Sequence, residues 1–241
     1  MAVLQSFFQA LLDFFLPGFC LFCQAPLGAL SDNLVCPMCL KEVPWLPGPV
    51  CVCCGAPFKG AVGLEHLCQG CLTRPPPFSR ARAVAFYDGA VLEAIHRLKY
   101  QRQLVYARFL QQLLTDSEAA ALALAADLAV PVPLHSLRLR WRGFNQAQLL
   151  AQAFPQLPLE TGILERQRPT LPQVKLSSKE RRSNVKGAFV VPDPQAVAGK
   201  AVLLVDDVYT TGATVRECAQ VLRRAGASQV EVLTVARVGY A

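Results

Sequence analysis

The chain has 241 residues, 53% of them apolar and only 17% charged. That balance excludes an intrinsically disordered chain and leaves room for one good-sized core, or for a small domain beside a medium one. The net charge of +7 is unevenly placed. Residues 1–73 set Lys41 and Lys59 against Asp13, Asp32, Glu42 and Glu65, whereas 14 basic side chains oppose 6 acidic ones between Arg97 and Lys186. Such a region suits a polyanionic partner, either a phosphorylated metabolite or nucleic acid, although a basic balance also serves solubility alone.

Residues 1–16, MAVLQSFFQALLDFFL, are almost wholly apolar. No basic stretch precedes the run, Asp13 interrupts it and no small-residue cleavage site follows, which argues against a secretory signal. It is also too short to span a bilayer. The expected structure is an amphipathic helix docked on the protein's own core, with a peripheral membrane contact as the weaker alternative. No integral membrane span and a cytoplasmic location are therefore expected.

Nine of the ten cysteines lie before residue 72, and eight of them form Cys-x2-Cys pairs. Cys20-x2-Cys23-x12-Cys36-x2-Cys39 is followed by Cys51-x2-Cys54-x13-Cys68-x2-Cys71, an internal duplication. Each half carries a similar turn after its first pair, Gln24-Ala25-Pro26 and Gly55-Ala56-Pro57. In a reducing compartment this spacing reads as a double zinc ribbon with two structural Zn²⁺ ions. One ion is expected on Cys20, Cys23, Cys36 and Cys39, the other on Cys51, Cys54, Cys68 and Cys71. The spacing leaves open an interleaved pairing, an empty second site, Cys53 in place of Cys51 or Cys54, and His66 as an intruding ligand.

Arg74-Pro75-Pro76-Pro77 reads as a stiff linker, which divides the chain into a ribbon module at 1–73 and a second domain at 74–241. After it, Arg82–Tyr87 reads as a strand, Gly89–Tyr100 and Gln103–Leu114 as helices, and Leu128–Val132 as a short strand. Ala120–Ala129 is ambiguous. Asn145–Phe154 reads as a helix, and Gln167–Lys179, without a clear period, as a mobile loop. Ala201–Val205 is expected as a buried strand, Gly212–Arg224 as a helix and Gln229–Val238 as a final strand. Strands alternating with helices predict a parallel sheet flanked by helices on both faces.

The most informative stretch is VLLVDDVYTTGAT, Val202–Thr214. A buried parallel strand delivers Asp206 and Asp207 to its C-terminal end, where open α/β sheets bind ligands. Thr210, Thr211, Gly212, Ala213 and Thr214 then turn the chain into a helix, whose free N–H groups and Thr hydroxyls make an anion cradle. Paired acids beside a phosphate cradle suit a sugar phosphate. A Walker A loop is excluded, because Gly212 is not followed by Gly-Lys-Ser/Thr.

This stretch resembles the phosphoribosyl pyrophosphate (PRPP) signature of type I phosphoribosyltransferases in full. The resemblance extends to the ComF family of competence-associated proteins, which joins a cysteine-rich N-terminus to such a domain. It is carried by Ile95-His96-Arg97-Leu98-Lys99-Tyr100, Val130–Leu134, Arg142-Gly143-Phe144-Asn145-Gln146, Arg166-x-Arg168-x-Thr170 and Arg181-Arg182-x-Asn184-x-x-Gly187-Ala188-Phe189. Leu171-Pro172-Gln173 departs from the family pattern, which often has Ser before the Gln.

The resemblance implies a type I phosphoribosyltransferase fold behind the ribbons. It places Asp206 and Asp207 on the ribose hydroxyls and residues 210–214 on the 5′-phosphate. It also implies Mg²⁺ bound with PRPP, and displacement of pyrophosphate by a nucleophile that nothing in the chain identifies. Lys99, Arg140 and Arg142 are the candidates for the pyrophosphate. Arg166, Arg168, Arg181 and Arg182 would flank a loop that closes over the substrate, and His135 is a weaker candidate. A link with DNA uptake, and partner proteins of the uptake machinery, follow from the family alone. The rival expectations are a PRPP sensor without turnover and a single-stranded DNA-binding accessory protein, the DNA lying along the region from Arg97 to Lys186.

Overall fold

The computed structural model describes residues 18–28, 33–58, 63–169 and 178–239, without the side chains of residues 178, 179, 181 and 182. The apolar segment 1–16, most of the expected loop at 167–179, and the Arg181 and Arg182 side chains lie outside that description. Two short helices, α1 (Pro37–Lys41) and α2 (Gln69–Thr73), each begin beside the second cysteine pair of a ribbon. After them come β1 (Arg80–Phe86), α3 (Gly89–Gln101), α4 (Val105–Thr115), α5 (Ala121–Leu124) and β2 (Leu128–Pro131). Helices α6 (Ser136–Arg142) and α7 (Gln146–Ala151) precede β3 (Glu165–Arg166), α8 (Ser178–Val185) and β4 (Phe189–Val190). The chain closes with β5 (Ala201–Tyr209), α9 (Ala213–Arg224) and β6 (Gln229–Arg237).

The main sheet runs β1-β6-β5-β2, and every pairing in it is parallel. Strands β5 and β6 are central and buried on both faces, which is why Val202–Val205 is an unbroken apolar run and the apolar residues of β6 do not simply alternate with exposed polar ones. Alternate residues feed two cores. Leu203, Val205, Leu233 and Val235 pack with α3, α4 and α7. Val202, Leu204, Val230 and Val232 pack with α9 on the opposite face.

The ribbons divide between the same two faces. Cys20, Val35 and Cys36 of the first join one core, and Cys51, Cys54 and Cys71 of the second join the other. The strap between them covers the β1 edge: Phe86 N donates to Pro44 O at 2.7 Å and Leu46 N to Val84 O at 3.1 Å. An edge strand is thereby paired instead of left open.

Several expected boundaries move for physical reasons. Strand β5 runs on to Tyr209, because Val208 and Tyr209 still pair with Ala236 and Arg237 of β6, so the acids lie inside the strand. Helix α3 runs to Gln101, one residue past its expected end, with Lys99 in its last turn. The helix expected over Asn145–Phe154 ends at Ala151. An additional helix, α6, precedes it and ends at Arg142.

Candidate functional site and cysteine clusters

A cavity of about 460 Å³ opens at the C-terminal end of β5. Topology creates the space. Strand β2 stops at Pro131, opposite Val205, so β5 loses its neighbour on that side just before its two acids. Asp206 and Asp207 point to opposite faces of the strand by its pleat, yet both line the opening.

From α3, Lys99 reaches Asp207 as an ion pair between Nζ and Oδ2, with the two side chains only 17% and 7% exposed. Burial alone would lower the ammonium pKa, but the Asp207 carboxylate outweighs it and holds Lys99 above its usual range. Among the described residues, Asp206 has no such ion-pair partner. Burial, then the charge of Asp207, push its carboxyl up to about 8. It can therefore hold a proton near neutral pH and donate as well as accept a hydrogen bond.

The turn after β5 depends on one glycine. Gly212 has φ +73, and a Cβ there would lie 2.3 Å from the Tyr209 hydroxyl, so both backbone and space reserve the position for glycine. Thr211 Oγ1 accepts from Ala213 N at 3.4 Å, while Thr210 and Thr214 line the cavity. Helix α9 starts there with its first N–H groups at the end of the acid-bearing strand.

Arg142 and its neighbours form the opposite wall. Gly143 ends α6 in the left-handed region with φ +89, and nothing lies within 4 Å of a Cβ built there. Its left-handed conformation makes it the stop of that helix. Asn145 then caps α7 through Ala147 N at 3.1 Å and ties the junction to β2 by donating to Val132 O at 3.1 Å. This fixes Arg142, which is 7% exposed and donates from Nη1 to Gln146 Oε1. Among the described residues its Nε is buried without a partner, a guanidinium edge held ready for an anion.

Among the other candidates, Arg166 lines the cavity from β3, its guanidinium carbon 5.3 Å from the Phe189 ring centroid. Burial lowers the pKa of Arg142 and of Arg166 alike. Arg168 donates to the carbonyls of Asn184 and Lys186 at the C-terminal end of α8. Arg140 is exposed and is not among the lining residues, and His135 caps α6 through Leu137 N. Sequence reasoning passed over Tyr87, Tyr100, Arg138 and Trp141, all of which line the opening. The run Ser136–Arg142 (SLRLRWR), in which arginines alternate with Leu, Leu and Trp, was the signal available for the last two.

The cysteines fall into two groups, Cys20, Cys23, Cys36, Cys39 and Cys51, Cys54, Cys68, Cys71, each with all sulfurs within 4.8 Å of one another. Cys23 and Cys36 sulfurs stand 3.6 Å apart and those of Cys54 and Cys68 3.7 Å. Tetrahedral Zn²⁺ with bonds of about 2.3 Å requires roughly 3.8 Å between sulfurs, so the residues fit. Burial works to raise the Cys20 and Cys51 thiols, and the backbone N–H groups around each outweigh it, bringing both to about 6. Burial and neighbouring thiols push Cys39 up to about 12, a crowding that a bound dication would relieve. The structure decides between the ligand sets that spacing left open. The pairs do not interleave, Cys53 points at Phe78 O, and His66 stacks on Phe58 with centroids 4.1 Å apart. These are two clusters suited to structural zinc.

Fold and clusters together define a phosphoribosyltransferase-like domain behind a double zinc ribbon. Comparison with known families agrees: the double zinc ribbon domain matches residues 11–72 and the phosphoribosyl transferase domain residues 139–239. A Salmonella typhi protein named DNA utilization protein YhgH is 37% identical over 92% of this chain and 97% of its own length. Competence protein F of Haemophilus influenzae is 31% identical over 90% and 96%, and competence protein ComFC of Bacillus subtilis 26% identical over 86% and 85%. The chain belongs to the ComF family. Among solved structures, a B. subtilis glutamine PRPP amidotransferase complexed with ADP and GMP is 26% identical with a TM-score of 0.34, matching 52% of this chain and 25% of that one.

Proposed function

We propose that the cavity at the end of β5 binds PRPP and that the protein is a phosphoribosyltransferase serving DNA uptake. The observation that carries this reading is the joint placement of an acid pair and a glycine-dependent turn around one opening. Asp206 and Asp207 take the vicinal ribose hydroxyls. Thr210, Thr211, Thr214 and the amides from Gly212 onward take the 5′-phosphate. The buried Arg142 edge and Lys99 face the pyrophosphate, with Arg166 on the same wall. Among the described residues, the clusters of three or more metal-ligating side chains are the two cysteine groups. Mg²⁺ would thus be held largely by the ligand's own phosphate oxygens, where it neutralises the leaving group. In the reaction, the bond from the ribose anomeric carbon to pyrophosphate breaks as a bond to the nucleophile forms, and pyrophosphate departs with the electron pair. The names borne by relatives, DNA utilization and competence, support the cellular setting.

Calorimetric titration with PRPP and Mg²⁺ tests the reading. Wild type should bind and Asp206→Ala/Asp207→Ala should not; equal binding by both removes the acid pair from the site.

One observation favours single-stranded DNA as a second ligand. Trp141, 55% exposed, stands at the cavity rim with the Arg102 guanidinium carbon 5.7 Å from its ring, beside Tyr100, which is 49% exposed. Aromatic faces flanked by arginine suit unpaired bases. Binding of an oligonucleotide should then weaken steeply as salt rises and weaken further in Trp141→Ala.

A further inference from the structure

Arg237 takes no part in lining the cavity, yet it stands between the second cysteine cluster and the turn that shapes the opening. It closes β6, is 1% exposed, and donates from Nη1 to the carbonyl of Cys54 at 2.7 Å. Its guanidinium carbon lies 4.3 Å from the centroid of the Tyr209 ring, the neighbour opposite it across the β5–β6 pairing. Tyr209 in turn presses its hydroxyl against Gly212, where no Cβ could be added. Cluster ligand, guanidinium, ring and anion-binding turn are therefore in serial contact.

The Cys51–Cys54 knuckle is fastened to the sheet along its whole length. Arg82 Nη1 donates to the carbonyls of Cys51 and Val52 at 3.4 and 3.2 Å, and Ala81 N donates to that of Cys53 at 2.7 Å. With Arg237 on Cys54, every knuckle carbonyl meets a donor from β1 or β6. A buried guanidinium is costly unless it is satisfied, so its position is dictated by the partners it finds. If the knuckle loses its shape, Arg237 loses the Cys54 carbonyl, and the ring beneath the guanidinium loses what holds it against the turn.

We propose that Arg237 is a positioning residue through which the second cysteine cluster becomes part of the anion site. An intact Cys51–Cys54 knuckle holds Arg237 over Tyr209, and Tyr209 holds the Thr210–Thr214 turn in the form that receives a phosphate. The second ribbon then does more than stabilise the fold: it governs affinity for the phosphorylated ligand. The inference rests on the PRPP reading of the cavity only for the identity of that ligand.

The test uses the full-length, zinc-replete protein and three variants, Arg237→Met, Arg237→Lys and Tyr209→Phe. Hydrogen exchange without ligand reads the turn directly, zinc content reads the cluster, and titration with PRPP and Mg²⁺ reads the site. Arg237→Met should keep its zinc, exchange faster at residues 210–214 but not in the first ribbon, and bind about tenfold more weakly, the scale of one lost hydrogen bond to a charged group. Arg237→Lys, which keeps a donor for Cys54, should recover part of both losses. A folded Arg237→Met protein with wild-type exchange at 210–214 and wild-type affinity overturns the proposal. Should Arg237→Met fail to fold or lose metal, Tyr209→Phe decides: faster exchange at the turn supports the relay, and unchanged exchange refutes it. Wild-type protein that binds no PRPP would refute the ligand assignment instead, while hydrogen exchange would still decide the relay.

Discussion

Replacing Lys99 with Met isolates the ion pair at the floor of the cavity. Lys99 and Asp207 are 17% and 7% exposed, so water screens the pair weakly on both sides. Removing one partner of a buried pair leaves the other charge uncompensated, at a cost of about 3–5 kcal/mol. The residual exposure of Lys99 places the expected loss near the lower end, about 3 kcal/mol, a large share of the 5–15 kcal/mol typical of a folded domain. In the variant, Asp207 sits beside Asp206 without its cation. Lys99→Met/Asp207→Asn removes both charges and should recover most of the loss, giving a coupling of roughly 2 kcal/mol in a double-mutant cycle. Urea unfolding followed by circular dichroism, with zinc present, measures all four proteins. If the single and double variants all lie within about 0.5 kcal/mol of wild type, the pair is not the buried interaction described here.

Gly212→Ala should cost about 1–2 kcal/mol of stability from the left-handed backbone alone, with the Tyr209 contact adding to it, and should abolish PRPP binding. Thermal melts and titration measure the two losses separately. Asp206, raised to about 8 by burial and then by Asp207, keeps in the folded state a proton that the unfolded chain releases near pH 4. Its contribution is therefore present at low pH and lost as pH rises toward 8, and Asp206→Asn should flatten that slope in melting temperature between pH 5 and 8. Freshly prepared reduced protein should hold two zinc ions, one per cysteine cluster, and Cys23→Ser should remove one of them by elemental analysis.

The parts of the molecule legible in sequence are those where one local pattern admits one structure. Paired Cys-x2-Cys spacing announces two four-sulfur clusters, though not how the pairs combine, and the buried run ending in Asp206-Asp207 with Thr-Thr-Gly after it fixes a strand, an acid pair and a turn. Less legible was whatever depends on distant packing. Lys99 contacts Asp207 only because α3 crosses that end of β5, and no local signal states the pairing. The end of β5 lay beyond Val205 because β6 extends alongside it, a fact of the partner strand and not of β5 itself. Helix α6 is short and its apolar residues Leu137, Leu139 and Trp141 are exposed, so it lacks the buried stripe that periodicity detects. The Arg237 contact joins residues 183 positions apart and could be read only from the fold.

A structure of the protein with PRPP and Mg²⁺ tests the central claim most directly. The account predicts ribose hydroxyls within about 3.2 Å of Asp206 and Asp207 carboxylate oxygens and the 5′-phosphate on the amides and hydroxyls of residues 210–214. A ligand bound elsewhere, or one that leaves the Lys99–Asp207 pair and the turn untouched, would contradict it.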